Sequence, residues 1–184
     1  MILLLIGTSS TGKTTLAKAL QKTLPGYWQY MSLDVFFAGM PDQYGGGVNG
    51  PLSEVGFSYK QKETDARISY GVIGKKVLQG MISSAITFAN EGTNLIFEDM
   101  ILDEEHAVMW CEALKEIEMK IIQLTASTDT LISRNANRNN PPRLSLNHVE
   151  ANTLLPAGLS LDTSVMTTEA CVSAVVKYVT NTSF

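Results

Sequence analysis

Histidine, cysteine and arginine are all scarce in this chain, and each scarcity narrows what it can do. Two cysteines, Cys111 and Cys171, and two histidines, His106 and His148, are spread over 184 residues. No CxxC and no Cys/His alternation at metal-ligand spacing is present, which excludes a zinc-type site and a disulfide framework. Both cysteines sit in helical apolar patterns and are expected to be buried reduced thiols. His106 falls in the first turn of a predicted helix and His148 in a later polar stretch, neither with a metal-like partner. Charged residues make up only 17%, and the net charge is −4, so the chain offers no broad basic surface for nucleic acid or an anionic membrane. The apolar run Met1–Ile6 is too short for a signal-peptide core or a membrane span and has no basic flank. The expectation is a cytoplasmic protein with one domain, residues 1–184, long enough to bury a core, and no internal repeat.

What is present is concentrated at a few places. The apolar run reads as a buried strand, Ile2–Ile6, and ends on Gly7-Thr-Ser-Ser-Thr-Gly12-Lys13-Thr14-Thr15, which fits G-x-x-x-x-G-K-[ST]. A helical pattern, Lys13–Thr23, follows. Strand, glycine-containing turn and helix in that order form a phosphate cradle. The glycines give the backbone its freedom, and inward N–H groups at a helix N-terminus surround an anion. Gly7, Ser9, Ser10, Thr11, Gly12, Lys13, Thr14 and Thr15 are therefore the candidate nucleotide-binding set. Lys13 would reach the outer phosphates and Thr14 would bind Mg²⁺.

Strand and helix signals alternate along the rest of the chain, the pattern of an α/β fold with a mostly parallel sheet of five strands flanked by helices. Predicted strands are Ile2–Ile6, Tyr27–Leu33, Asn94–Phe97, Met119–Thr125 and Leu159–Asp162. Helices are predicted over Ile68–Asn90, with Val77, Met81, Ala85 and Phe88 on one face. Others run from an Asp103 N-cap to about Glu116, with Ala107, Cys111, Leu114 and Ile117 inward, and from about Asp129 into the arginine segment until Pro141-Pro142 breaks it. A closing helix spans Thr168–Thr180. Residues 39–60 are rich in glycine and read as a long binding-type loop with a small hairpin near Gly56–Tyr59.

In such sheets ligands bind beyond the carboxyl ends of the strands, where this reading places Asp34, Glu98 and Asp99. Asp34 is the candidate general base for an attacking hydroxyl. The alternative is an N-cap for the turn Val35–Ala38. In extended backbone Glu98 and Asp99 must point to opposite sides; Asp99, the later residue, is expected nearer the phosphates and in the Mg²⁺ shell, with Glu98 as the alternative partner. Arginine occurs only at 67, 134, 138 and 143. Arg134 and Arg138 share a helix face, and with Arg143 they suggest a lid, residues 134–146, that neutralises charge on a transferring phosphoryl group. Phe36, Phe37, Met40, Tyr44, Phe57 and Arg67 are the candidate acceptor pocket, with Asp34 and Asp99 at its polar end.

These motifs together resemble the chloramphenicol phosphotransferase family of small P-loop kinases. The resemblance covers most of the chain: Gly7–Thr15, Leu24-Pro-Gly-Tyr-Trp28 leading to Leu33-Asp34, Ala38-Gly-Met-Pro41, Gly92–Asp99, Arg134-Asn-Ala-Asn-Arg138 and Leu161-Asp162-Thr163. It implies ATP, Mg²⁺, a small-molecule hydroxyl acceptor, an aspartate base at Asp34, a lid carrying Arg134 and Arg138, and an adenine-side loop at Asp162-Thr163. Two departures stand out. The loop after Met40 is rebuilt with three consecutive glycines, and Glu98-Asp99 replaces what is often a pair of aspartates. The family fixes the reaction more firmly than the acceptor. Rival readings are a nucleotide-gated binding protein, a kinase for a nucleotide, sugar or nucleic-acid end, and a degenerate fold with only structural nucleotide, against which the intact Lys13 and Thr14 argue.

Overall fold

A computed structural model describes residues 1–45, 53–62, 65–137 and 143–180. The chain order is β1 (Ile2–Ile6), α1 (Lys13–Thr23), β2 (Trp28–Ser32), α2 (Leu33–Ala38), β3 (Phe57–Lys62), β4 (Asp65–Tyr70), α3 (Val72–Asn90), β5 (Asn94–Asp99), α4 (Glu104–Ala113), β6 (Met119–Thr125), α5 (Thr128–Ala136), β7 (Leu159–Asp162) and α6 (Thr168–Thr180). Five strands form one sheet in the order β2-β5-β1-β6-β7, and all its pairs are parallel. The expected five-stranded α/β fold is the fold observed.

Every residue of β1 is buried, which explains why the strand is apolar throughout rather than alternating: helices cover both faces of the sheet. Ile2, Leu4 and Ile6 join a core with Leu95, Phe97, Leu78, Met81 and Trp110, against α3 and α4. Leu3 and Leu5 join a second core with Leu16, Leu20, Ile96, Ile122 and Val175, against α1 and α6. The pleat of β5 divides its residues the same way, with Leu95 and Phe97 in one core and Ile96 in the other. Glu98 thus belongs to the α1 layer and Asp99 to the α4 layer.

Several boundaries differ from the sequence reading, each for a local reason. Residues 68–70, expected as the start of the long helix, are strand. β3 and β4 form an antiparallel hairpin in which Phe57, Tyr59 and Lys62 pair with Tyr70, Ile68 and Asp65, and the helix starts at Val72 after Gly71. The buried face of α3 is Gly74, Leu78, Met81, Ile82 and Ala85, so Phe88 is 41% exposed instead of core. The second strand stops at Ser32 because the Ser32 hydroxyl caps α2, accepting from Val35 N at 3.3 Å. Helix α5 starts at Thr128 with Ser127 as its cap, and α4 ends at Ala113. The Asp103 cap of α4 is as expected, accepting from His106 N at 2.9 Å. Gly46, Gly47, Gly50 and Pro51 of the long loop, and Arg138, Pro141 and Pro142 of the expected lid, lie outside the described residues.

Asp99 is the polar anchor of the α4 layer. Its Oδ1 accepts from Met100 N at 2.7 Å. Its Oδ2 accepts from Trp110 Nε1 at 2.6 Å, with His106 Nε2 3.1 Å away. Trp110 itself is wholly buried and sits edge-on to Phe97, ring centroids 5.2 Å apart. Replacing Trp110 with Phe keeps a ring in place but takes a donor from a buried carboxylate, so Trp110→Phe is expected to cost about 2–3 kcal/mol. A chemical denaturation midpoint within experimental error of the parent would show that the hydrogen bond contributes little.

Candidate functional site

The loop after β1 has the backbone of an anion cradle. Gly12 has φ 93° and Ser10 φ 68°, left-handed conformations that turn successive N–H groups toward one centre. At Gly7 a Cβ would lie 2.5 Å from the Leu124 carbonyl oxygen and 2.8 Å from Thr11 Oγ1, so the loop cannot root here with any side chain. Lys13 is buried, and its Nζ donates to Gly7 O at 2.8 Å and Thr8 O at 3.0 Å, curling the ammonium into the loop. Among the described residues, Thr8 Oγ1 and Ser10 Oγ are buried without a hydrogen-bond partner. Donor-rich, cationic and incompletely satisfied, the loop fits a polyphosphate.

Beside it, Thr14 Oγ1 donates to Glu98 Oε1 at 2.7 Å, and Tyr30 OH donates to Glu98 Oε2 at 2.8 Å. Burial first, then the fields of Glu98 and Asp34, push the Tyr30 phenol up to about 12, so it stays a donor. The expectation that Asp99 stands nearest the phosphates is corrected here. Asp99 does border the pocket, but its two oxygens are taken by Met100, Trp110 and the neighbouring His106. The face of the pleat decides which acid meets α1, not which comes later in the chain.

A cavity of about 950 Å³, counting its open mouth, runs from Ser9, Ser10, Gly12, Lys13 and Thr14 past Glu98 to Asp34. Phe37, Phe57, Tyr59, Ile68, Met100 and Leu144 form its apolar wall. Asp34 lies in the first turn of α2. Because Ser32 does the capping, the Asp34 carboxylate is not spent on the helix, and no hydrogen bond engages it among the described residues. Burial, and then the Asp34 charge, raise the Tyr59 phenol from its ordinary value.

Of the expected acceptor residues, Asp34, Phe37, Phe57 and Asp99 line this cavity. Phe36, Met40 and Tyr44 do not. They line a separate open groove between α2 and α3 with Val77 and Met81, because the short helix α2 turns the chain away after Phe37. Arg67 also falls outside: strand alternation puts it on the face of β4 opposite Ile68 and Tyr70. Tyr59, Ile68, Met100 and Leu144 were not singled out from the sequence. The hairpin alternation Phe57-Ser-Tyr59 paired with Ile68-Ser-Tyr70 was the signal for the first two; Leu144 carried none.

A second hollow adjoins the other side of the loop, lined by Ser10, Gly12, Thr15, Leu16, Arg134, Asn137, Thr163, Met166, Thr168 and Cys171. Arg134 bridges its rim, donating from Nη1 to Thr163 Oγ1 at 2.9 Å and Ser10 O at 3.3 Å, and from Nη2 to Thr163 O at 2.8 Å. Thr163 Oγ1 also lies 2.9 Å from Thr11 O. Arg134 and Thr163 thus meet beside the phosphate loop. Asp162 is exposed and turned to its own turn, where the Ser164 hydroxyl and amide hold its carboxyl below the usual range. Arg143 has the left-handed φ of 56° and is absent from the linings of both hollows.

Sequence gave the histidines little weight, yet both are fully buried. His148 Nδ1–H donates to Leu102 O at 3.2 Å, and its Nε2 accepts from Ile68 N at 3.0 Å. That pairing requires the neutral ring.

The model of the family described as chloramphenicol phosphotransferase-like protein matches residues 1–180. Among solved structures, a sugar kinase from Janibacter sp. aligns with TM-score 0.66 at 16% identity, over 97% of this chain and 93% of that one. The tunicamycin resistance protein of Deinococcus radiodurans aligns with TM-score 0.65 at 15% identity, over 97% and 94%. Shikimate kinase from Aquifex aeolicus aligns with TM-score 0.59 at 13% identity, over 98% and 97%. At such identities the likeness is one of fold. No curated protein matches.

Burial holds His148 down at about 4, outweighing the Leu102 hydrogen bond, with Arg67 lowering it further and Asp103 raising it. In the unfolded chain the ring takes up its proton below about 6.5; in the folded protein it does not until about 4. Stability is therefore undiminished above about pH 6.5 and falls as the pH drops toward 4, by on the order of 3 kcal/mol from this residue. Denaturation curves across that window should show a shallower pH dependence for His148→Gln than for the parent; parallel curves would contradict it.

Proposed function

Since the chain belongs to the chloramphenicol phosphotransferase-like family, we propose that it is an ATP-dependent kinase that moves the γ-phosphate to a hydroxyl group of a small molecule, with Asp34 as the general base. The observation that carries this reading is the uncommitted Asp34 carboxylate in the same cavity as Lys13, Gly12 and Thr14. An acceptor hydroxyl bound against Phe37, Phe57 and Tyr59 would lie between the base and the phosphate loop. Asp34 would accept the hydroxyl proton as the oxygen gains its bond to phosphorus. Lys13 would exchange its Gly7 and Thr8 carbonyl partners for phosphate oxygens, offsetting charge that builds up in transfer.

The nucleotide base would occupy the hollow between Arg134, Thr163 and Met166. Thr14 and Glu98 are the residues to hold Mg²⁺. Among the described residues no cluster of three His, Cys, Asp or Glu side chains forms a metal site, and Mg²⁺ suits a pair of protein oxygens completed by phosphates and water. When bound, Mg²⁺ supplies charge neutralisation at the phosphates. Arg138 is proposed for the lid from its sequence position alone.

The described cavity wall holds no arginine, and Lys13 is its only lysine. That lining disfavours an anionic acceptor, which would be left without a cation of its own. No helix among the described residues is long and apolar enough to cross a membrane.

Two substitutions test the assignment. Asp34→Asn should lower turnover by about 10²–10⁴-fold, the range for loss of a general base, and leave Mg·ATP affinity within about threefold. Mass spectrometry of parent and variant, each incubated with Mg·ATP and pooled hydroxyl compounds, reads this out. Equal product from both would remove Asp34 from the chemistry, and nucleotide bound but never transferred would favour the nucleotide-gated binding protein. For the metal, Glu98→Gln should raise the Mg²⁺ concentration needed for half-maximal activity by about tenfold, while Asp99→Asn should act on stability instead. The reverse pattern would restore Asp99 as the metal residue.

A further inference from the structure

One buried carboxamide ties the nucleotide side of the site to the acceptor side. Asn152 is 2% exposed and lies in the short 3-10 turn Ala151–Thr153. Its Oδ1 accepts from Gly7 N at 3.0 Å and from Ile101 N at 3.0 Å. Its Nδ2 donates to Ile101 O at 3.2 Å and to His148 O at 2.6 Å. An amide side chain has two lone pairs and two hydrogens to offer, and all four are used. The backbone of the same residue is held as well: Gln123 Nε2 donates to Asn152 O at 2.9 Å.

The partners make this more than a structural knot. Gly7 is the root of the phosphate loop, and its carbonyl also receives Lys13 Nζ. Ile101 follows Met100, a wall residue of the acceptor cavity. His148 continues the link to the amide of Ile68, another wall residue, and Asn147 Nδ2 reaches Ala66 O at 2.7 Å on the same hairpin strand. Leu144, on the segment that carries all three side chains, lines the cavity directly. No apolar contact could set four backbone groups from three separate segments at fixed distances.

We propose that Asn152 is a positioning residue that couples nucleotide in the phosphate loop to the acceptor wall, through Gly7 on one side and through Ile101 and His148–Ile68 on the other. A nucleotide that draws Lys13 off Gly7 O and Thr8 O changes the pull on Gly7. The carboxamide passes that change to the backbone of Ile101 and Ile68. By linkage, an occupied acceptor cavity favours the nucleotide-bound loop to the same degree. This rests on the kinase reading above, specifically on nucleotide binding at Gly12–Thr14.

The test uses the full chain and Mg·ADP, so the acceptor need not be known. Backbone amide shifts are followed by NMR as Mg·ADP is added to the parent, Asn152→Asp and Asn152→Ala. The aspartate variant keeps the size and both acceptor contacts but loses both donors; the alanine variant loses all four contacts, and the isosteric aspartate covers the case in which alanine does not fold. In the parent, the amides of Gly12 and Thr14 should shift, and those of Ile101 and Ile68 should shift with the same dependence on nucleotide. In Asn152→Ala, Gly12 and Thr14 should still respond while Ile101 and Ile68 lose their response; in Asn152→Asp, which keeps the Gly7 and Ile101 amide contacts but not the donor to His148 O, Ile68 should lose its response. A residue with a merely structural role would lower stability and leave that pattern intact. Ile101 and Ile68 silent in the parent, or still responding in both variants, overturns the coupling and leaves the kinase reading standing. Silence at Gly12 and Thr14 in the parent overturns both.

Discussion

The sheet is buried on both faces, and nearly everything at the site depends on that constraint. A strand covered by helices on each side must send alternate residues into two different cores. β1 meets the demand with an unbroken apolar run, and its carboxyl end emerges at the centre of the sheet, with β5 on one side and β6 on the other. There the loop Gly7–Gly12 leads straight into α1. The same constraint separates two adjacent acids at the end of β5. Glu98 is delivered to Thr14 on α1, and Asp99 to Trp110 and His106 on α4. Neighbouring residues are sent to opposite layers by the pleat alone.

The loops around the phosphate cradle cannot rely on such a core, and they are held by buried and half-buried polar side chains. Arg134 fastens the turn after β7 to Ser10. His148 and Asn152 fasten the segment 143–155 to the hairpin, to the loop after β5 and to Gly7. Burying such groups is costly unless every donor and acceptor is met. Met in full, they fix backbone positions more narrowly than apolar contacts do. A phosphoryl-transfer site needs that, because its rate comes chiefly from position and charge.

Two acidic residues escape this anchoring in different ways. Glu98 is buried but, among the described residues, engaged only by hydroxyl donors, Thr14 and Tyr30, which can turn to other partners as the site fills. Asp34 escapes because Ser32 supplies the helix cap, leaving a carboxylate in a cavity it shares with the apolar wall of Phe37, Phe57 and Ile68. Tyr59 stands beside it with its phenol held in the neutral, donating form. The acceptor side therefore offers shape and, in Asp34, one carboxylate without a hydrogen bond among the described residues, while the positive charge lies with the phosphate loop.

Sequence by itself determined the elements whose physics is local. The apolar strand into Gly7–Thr15, the alternation that makes a parallel α/β sheet, the Asp103 cap, Leu159–Asp162 and Thr168–Thr180 were all legible because spacing and turn chemistry are written in consecutive residues. What only the tertiary structure decided involves residues far apart in the chain. Which of Glu98 and Asp99 faces α1 depends on which layer each side of the sheet meets. Whether Met40 and Tyr44 share a cavity with Phe37 depends on where α2 turns. Period-two alternation over 57–70 was present but competed with a helical pattern that begins in the same stretch, and pairing across the hairpin settled it. Asn152 and His148 had no local signature at all, since a buried polar side chain acquires its role from partners that folding brings to it.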